Sequence, residues 1–414
     1  MEKQSDETYD LIIAGGGAAG FFTAICAAEI RKGLRIVILE KSGKILSKVR
    51  ISGGGRCNVT HNCVDAVELS RHYPRGEKFL KRIFKKFSAE QTVDWFKVKG
   101  IDLKVEEDGR MFPTSDNSQT IIDCFIKEAI RHQVRIELDE GVQGIESVRQ
   151  GYKIRTSSKV IFGRKILIAV GGNPSKDFYQ WIGALGHSII SPIPSLFTFN
   201  DSGRSFADLM GVAVQQGIVR IATTKFVQTG PVLITHWGLS GPAVIRLSAW
   251  AAEYLHSVGY RFTVLVSWIG KSGEEDVRKL LEGLKMEKGK QKILSSAQFG
   301  LPQRLWVRGC EMAGIDEHRI WAEVPKKSIN KLIEFLIRCP FAMQGKTTFK
   351  EEFVTCGGVD LREIDPDTME SRMAPGIYFA GEVLDVDGET GGFNFQAAWS
   401  TGYTAANGIV ASLS

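Results

Sequence analysis

Apolar and polar positions divide the chain into readable elements. After a polar start, Tyr9 to Ala14 reads YDLIIA, a short apolar run of the length of a buried strand. Gly15-Gly16-Gly17-Ala18-Ala19-Gly20 follows at once, then a helical stretch from Phe21 to Arg31. A second strand, Leu34 to Leu39, ends on Glu40. Two amphipathic helical stretches lie near Arg75–Phe87 and Ala89–Lys99, and strand-like segments lead to Lys165–Val170 and the pair Gly171-Gly172. Between about 195 and 270 the pattern becomes strands without crossovers, such as Gly217–Val227 and Tyr260–Trp268. From Glu274 to Cys339 it turns helical, with one helix opening at Glu274-Glu275-Asp276-Val277 and another at Lys327–Arg338. A last strand, Ile377–Ala380, and a helix from Phe393 to about Val410 close the chain. There is no internal repeat and no low-complexity stretch.

Composition narrows the class. The 414 residues suit two or three domains, and 43% hydrophobic with 24% charged residues is ordinary for a globular chain with a core. No apolar run nears the roughly 20 residues of a membrane span. Met1 to Asp10 is polar and acidic, the reverse of a signal peptide, so a cytoplasmic protein is expected. Seven cysteines without C-x-x-C read as free thiols. Seven histidines without H-x-x-H or H-E-x-x-H spacing give no support to a metal. The net charge of +6 is too weak to argue for nucleic acid, and one basic cluster, Lys78–Phe87, reads two ways. It suits a membrane-surface or RNA-binding helix, or an ordinary helix packed on a core with a solvated back; the second is favoured.

Candidate chemistry starts at the first turn. Gly15 permits a tight turn, Gly17 lets the backbone approach a pyrophosphate, and Gly20 lets the helix pack close to the strand. Glu40, twenty residues beyond Gly20, is placed to accept both hydroxyls of an adenosine ribose and to repel a 2′-phosphate. The site is therefore expected to take FAD or NAD and to exclude NADP. Further on, Lys48-Val49-Arg50-Ile51-Ser52-Gly53-Gly54-Gly55-Arg56-Cys57-Asn58 sets three glycines among anion-seeking groups, a stretch expected to lie flat against a ligand.

The stretch Ser52–Asn58 resembles the S-G-G-G-R-C-N signature of a bacterial flavoprotein family that includes aminoacetone oxidase-like enzymes and reductases of unsaturated 3-oxo bile acids. Gly109–Pro113, Thr235–Pro242, Thr355–Val359 and the long stretch Gly376–Tyr403 are similar to further motifs of that family, in the same order. Two departures stand out: His61 where asparagine is commoner, and Phe393 where tyrosine often stands. A phenol lost beside the flavin would alter substrate preference.

The resemblance implies an α/β fold, a Rossmann-type FAD-binding domain with an inserted β-barrel and a small helical bundle. The expected segments are 1–194 and 341–414 for the FAD domain, 195–270 for the barrel and 271–340 for the helices. Expected cofactor contacts are Gly15, Gly17, Ala18, Ala19, Gly20, Glu40, Lys41, Lys48, Ser52, Gly53, Gly54, Gly55, Arg56, Cys57, Asn58, Gly171 and Gly172, with Val142 pairing the adenine. Gly381, Glu382, Gly391, Gly392, Phe393 and Asn394 complete the set, Glu382 holding the ribityl chain and the final helix facing the reduced ring.

Three functions stay open: an NAD(P)H-dependent reductase of an activated C=C bond in a small or steroid-like substrate, an oxidase of a small amine, and a flavin-bearing RNA-associated or regulatory protein. No second G-x-G-x-x-G follows a strand, since Gly183-Ala184-Leu185-Gly186 is too short and follows a helix. NADH or NADPH would then bind transiently over the flavin. Arg56 is the expected charge near ring or substrate, and Cys57 a packing residue, since Cys63 lies six residues away rather than at C-x-x-C spacing. His236 and Trp237 line a pocket or fix a turn. No proton donor declares itself.

Overall fold

The computed structural model describes residues 8–347 and 354–413. The polar start read from Met1 lies, up to residue 7, outside the described residues. The chain forms two compact units, residues 1–195 with 350–414, and residues 196–349.

In the first unit the opening apolar run is the strand Thr8–Ala14, with Leu11, Ile12 and Ile13 fully buried. It sits inside a sheet ordered Arg135–Glu137, Ile36–Leu39, Thr8–Ala14, Val160–Ile168, Gly151–Arg155, Gly144–Val148. Ile377–Phe379 joins beside the far half of Val160–Ile168. The strands at 8–14, 36–39, 135–137, 160–168 and 377–379 pair in parallel, so their carboxyl ends share one edge. In such sheets ligands bind at that edge.

The helix Ala18–Ile30 has no polar face over Ala19–Ala28, and every residue of that stretch is buried. Its wholly buried Phe21, Phe22 and Ile25 contribute ~1.5–3 kcal/mol each. Gly20 lets it approach the turn: a Cβ there would lie 2.1 Å from the Gly15 carbonyl oxygen. It packs on the final helix Phe393–Ser412, where the Thr23 hydroxyl donates to the Gly402 carbonyl (3.2 Å).

One local expectation changes. Ser47–Gly55 is helical rather than a flat loop, and it breaks at Ser52, Gly53 and Gly54, the two glycines left-handed at φ +59° and +69°. The basic cluster forms the helix Glu77–Phe84, with Leu80, Ile83 and Phe84 buried; Arg82 and Lys86 both reach Asp367 (2.6 and 2.8 Å). That is the core-packed arrangement.

The second unit holds a closed six-stranded barrel: Thr198–Asp201, Gly238–Ser240, Val227–Ile234, Ala213–Ile221, Arg261–Ser267, Cys339–Thr347. The expected barrel span of 195–270 is too short, because the sixth strand enters after the helices and closes the ring against the first. The expected boundary at 341 falls inside that strand. The helices Glu274–Glu287, Gln303–Met312 and Lys326–Arg338 share one apolar core with the barrel, through Val264, Trp268, Leu281, Trp306 and Leu332. His236 and Trp237 sit in a tight turn closed by Thr235, whose hydroxyl donates to the Gly238 carbonyl (3.1 Å), while Trp237 Nε1 donates to Thr198 (3.2 Å).

Candidate functional site

The strand-end edge of the first unit carries a cradle of bare backbone. Gly15, at φ +114°, would set a Cβ 2.3 Å from the Ala169 carbonyl oxygen, so only glycine makes this turn. Around Gly17, Gly54, Gly55 and Gly171 a Cβ would meet nothing within 4 Å. Four glycines facing open space leave room for flat rings and a pyrophosphate, and Ala18 and Ala19 open the helix whose first amides face it. Glu40 is tied in place: its carboxylate accepts from Gly16 N–H (2.9 Å), Ser42 N–H (3.0 Å) and the Ser42 hydroxyl (2.8 Å). The Lys41 ammonium lies 4.7 Å from the Phe178 ring centre. Val142 is half-buried, and its peptide N–H and C=O have no partner among the described residues.

The glycine-rich segment meets the last loop through Asn58. With its amide turned so that nitrogen donates to the Thr60 carbonyl (3.0 Å), the oxygen accepts from Gly392 N–H (2.9 Å). Gly392 is left-handed at φ +92°, and a Cβ there would strike the Thr60 carbonyl at 2.5 Å. Gly391, also at positive φ, and Gly392 thus deliver the start of Phe393–Ser412 to this edge. Asn394 is spent on its own loop, accepting from Gly388 N–H (2.8 Å) and donating to its carbonyl (2.9 Å). Glu382, behind Gly381, accepts from Lys48 and from Thr355 N–H (3.0 Å), and it packs beside Gly172.

Arg56 stands over the Phe112 ring at 3.9 Å and pairs with Glu106 (2.6 Å) and Asp116 (3.5 Å). Cys57 is fully buried at φ +62°, and burial pushes its thiol up to about 12. It is a neutral packing group at any ordinary pH. Cys63 is a free, half-buried thiol, also pushed up by burial.

Two groupings escaped the sequence reading. His61 and His72 both lie nearly flat against the Phe393 ring, at 4.7 and 4.2 Å between centres and 20° and 12° between planes. His72 Nδ1 is held by Glu389 (3.2 Å), and the Tyr73 hydroxyl donates to the Phe393 carbonyl (2.6 Å). His61 Nδ1 is buried without a partner among the described residues, and burial holds its imidazole below the usual histidine value. The second grouping is Asp387, wholly buried, which accepts from Arg75 Nε (2.5 Å), Arg75 Nη2 and the Ser195 hydroxyl (2.7 Å). It anchors the start of the 388–392 loop. Only the His61 and Phe393 departures hinted at the first; nothing local signals the second.

Two other clusters are structural. Ser371, His187 and Glu363 form a hydroxyl–imidazole–carboxylate chain (2.8 and 3.0 Å), yet Ser371 is 4% exposed and already accepts from Met373 and Ala374 N–H. That makes it a staple, not a nucleophile. Glu29, Glu128 and His132 converge, but Lys99 (2.8 Å from Glu29) and Arg131 (3.5 Å from Glu128) already supply the positive charge.

Residues 9–408 match the HI0933-like protein Rossmann domain. The chain belongs to the HI0933-like Rossmann family. A 3-dehydro-bile acid delta(4,6)-reductase of Clostridium scindens is 29% identical, covering 95% of this chain and 97% of that protein. A ribosomal RNA dihydrouridine synthase of Haemophilus influenzae is 28% identical, over 96% and 98%. Among solved structures, the 3-ketosteroid delta1-dehydrogenase of Sterolibacterium denitrificans shares the fold, with TM-score 0.52 and 12% identity over 98% of this chain and all of that one. Like its HI0933-like relatives the chain is an FAD-dependent oxidoreductase, and the open glycine cradle with the Glu40 carboxylate bonded to Gly16 N–H fits that cofactor. No helix among the described residues is long and apolar enough to cross a membrane.

Proposed function

We propose that this HI0933-like protein reduces a carbon–carbon double bond conjugated to a carbonyl, with NADH or NADPH as transient electron donor. The reading is carried by two full-length relatives whose names share one bond class. A delta(4,6)-reductase of a 3-dehydro bile acid saturates a dienone; a dihydrouridine synthase saturates the uracil C5=C6 bond beside its C4 carbonyl.

Bound FAD supplies the hydride chemistry; the chain supplies binding, charge and protons. Glu40 takes the adenosine ribose, and the open peptide groups of Val142 suit the adenine edge. The amino end of Phe393–Ser412, with Gly391 and Gly392 leading in, would offer its positive dipole to the bound flavin. Arg56, held by Glu106 and Asp116, adds a fixed cation at the glycine-rich segment. His72 keeps Nε2 for proton exchange while Glu389 orients Nδ1, and such a reduction needs a proton at the carbon next to the carbonyl. The substrate class is a small or steroid-like enone, or a uracil ring within RNA. The early expectation against nucleic acid rested on a modest net charge and one core-packed helix, and carries no weight against the second.

The test is anaerobic stopped-flow absorbance of FAD-loaded protein, mixed with NADH or NADPH and then with an enone or a uridine-containing RNA. Bleaching by a nicotinamide and recovery with one of these acceptors supports the proposal. A flavin that ignores both nicotinamides but is bleached by a small amine favours the oxidase alternative. A reduced flavin that no conjugated acceptor reoxidises overturns the reading.

A further inference from the structure

The first unit has a second concave site, at the amino-terminal edge of its sheet, the edge opposite the glycine cradle. It is a cavity of about 650 Å³, within the size range of small-molecule sites. Its floor is the start of the first strand at Thr8 and Tyr9; its walls are the turns after the helices Ala18–Ile30 and Ser118–Arg131. Lys32, Arg35, Arg131 and Arg135 line it, and among the described residues no Asp or Glu does.

Cations after a helix often serve only to offset its carbonyl end. At the end of Ser118–Arg131 those carbonyls have other partners, and at the end of Ala18–Ile30 the Ala27 carbonyl has one. Arg31 N–H donates to the Ala27 carbonyl, and His132, Gln133 and Val134 N–H donate to those of Glu128, Ile130 and Ala129. The Lys32 and Arg35 side chains make no ion pair or hydrogen bond among the described residues. Nearby carboxylates are already engaged, two of them by cations that line the cavity: Glu128 by Arg131 (3.5 Å) and Glu137 by Arg135 and Lys159, while Asp10 is held by Arg35 N–H (3.0 Å) and Arg164 (3.4 Å) and Glu29 by Lys99. Two successive peptide N–H groups in the same turn, those of Lys32 and Gly33, likewise donate to no acceptor among the described residues. Consecutive free amides beside unpaired cations are the chemistry of an anion nest.

We propose that this cavity is a binding site for phosphate groups, separate from the FAD site. The phosphates can come from a free phosphate ester or from the backbone of RNA. Lys32 and Arg35, two cations without a carboxylate partner among the described residues, favour a ligand with more than one negative charge, and the open amides suit its oxygens.

The test compares FAD-loaded wild-type protein with Lys32→Glu/Arg35→Glu, both positions exposed. An unchanged flavin spectrum and melting temperature show that the variant is folded; should it fail, Lys32→Ala and Arg35→Ala are tested singly. Pyrophosphate binding is read by calorimetry, and binding of a short fluorescent single-stranded RNA by anisotropy across a salt series. The proposal expects at least tenfold weaker binding in the charge-reversed protein. For RNA it expects the slope of log affinity against log salt to shrink by about 1.4, for two lost contacts at ~0.7 each. Binding of pyrophosphate alone identifies a small phosphate ester, and binding of RNA alone identifies backbone docking. No binding of either probe, or equal binding by wild type and variant, overturns it.

Discussion

Arg75→Met tests the anchor beneath the 388–392 loop. Asp387 has no exposed surface, and its carboxylate is held by two nitrogens of Arg75 and the Ser195 hydroxyl. Burial pushes this carboxyl above its ordinary value, while Arg75 and Ser195 pull it back. Removing Arg75 leaves a buried carboxylate with one hydroxyl for company, which costs about 3–5 kcal/mol. The unit has about 260 residues, so its unfolding entropy is ~0.55 kcal/mol/K and the melting temperature should fall by ~6–9 °C. The sign with pH follows. In the variant the folded state holds the Asp387 proton more tightly than the wild-type fold does, so the deficit should grow as pH rises above the wild-type carboxyl value, itself raised by burial. It should be smaller near about pH 5 than near about pH 8. Arg75→Met/Asp387→Asn should recover part of the loss, because no charge is then stranded. Thermal melts and urea titrations of the FAD-loaded protein, with flavin content read alongside, decide the matter. A loss below ~1 kcal/mol, or one equal at both pH values, would refute the idea that the ion pair anchors the loop.

Three further outcomes are expected. Glu40→Ala strands the Gly16 amide and removes the ribose acceptor, and should weaken FAD binding by about tenfold or more; unchanged fluorescence quenching on reconstitution speaks against the assigned role. Cys57→Ser should keep flavin and turnover, since its buried thiol sits at about 12; loss of all turnover with flavin retained would point to a thiol mechanism. His61, lowered by burial, binds fewer protons folded than unfolded, so stability should drop as pH falls through about 6.5. The urea midpoint of His61→Asn should fall less than that of wild type between about pH 7.5 and about pH 5.5; parallel declines would exclude His61 as the cause.

The sequence by itself determined the parts that short-range sterics control. The strand at 8–14, the turn at Gly15–Gly20 and the buried helix behind it follow from which residues tolerate positive φ and which have no polar face. Glu40 was legible for the same reason, at one strand's length from the turn. The barrel was not, since its sixth strand returns after three helices and its partner is decided by ring closure rather than by periodicity. Nor could spacing place Asn394 in its own loop, break a helix at Ser52, or pair Arg75 with an aspartate 312 residues away. His61, His72, Glu389 and Phe393 meet only because the final helix packs against the first and carries its leading loop back to the strand edge. Local conformational preference reaches a few residues along the chain, whereas such meetings depend on how whole helices and strands pack, and that only the tertiary structure decides.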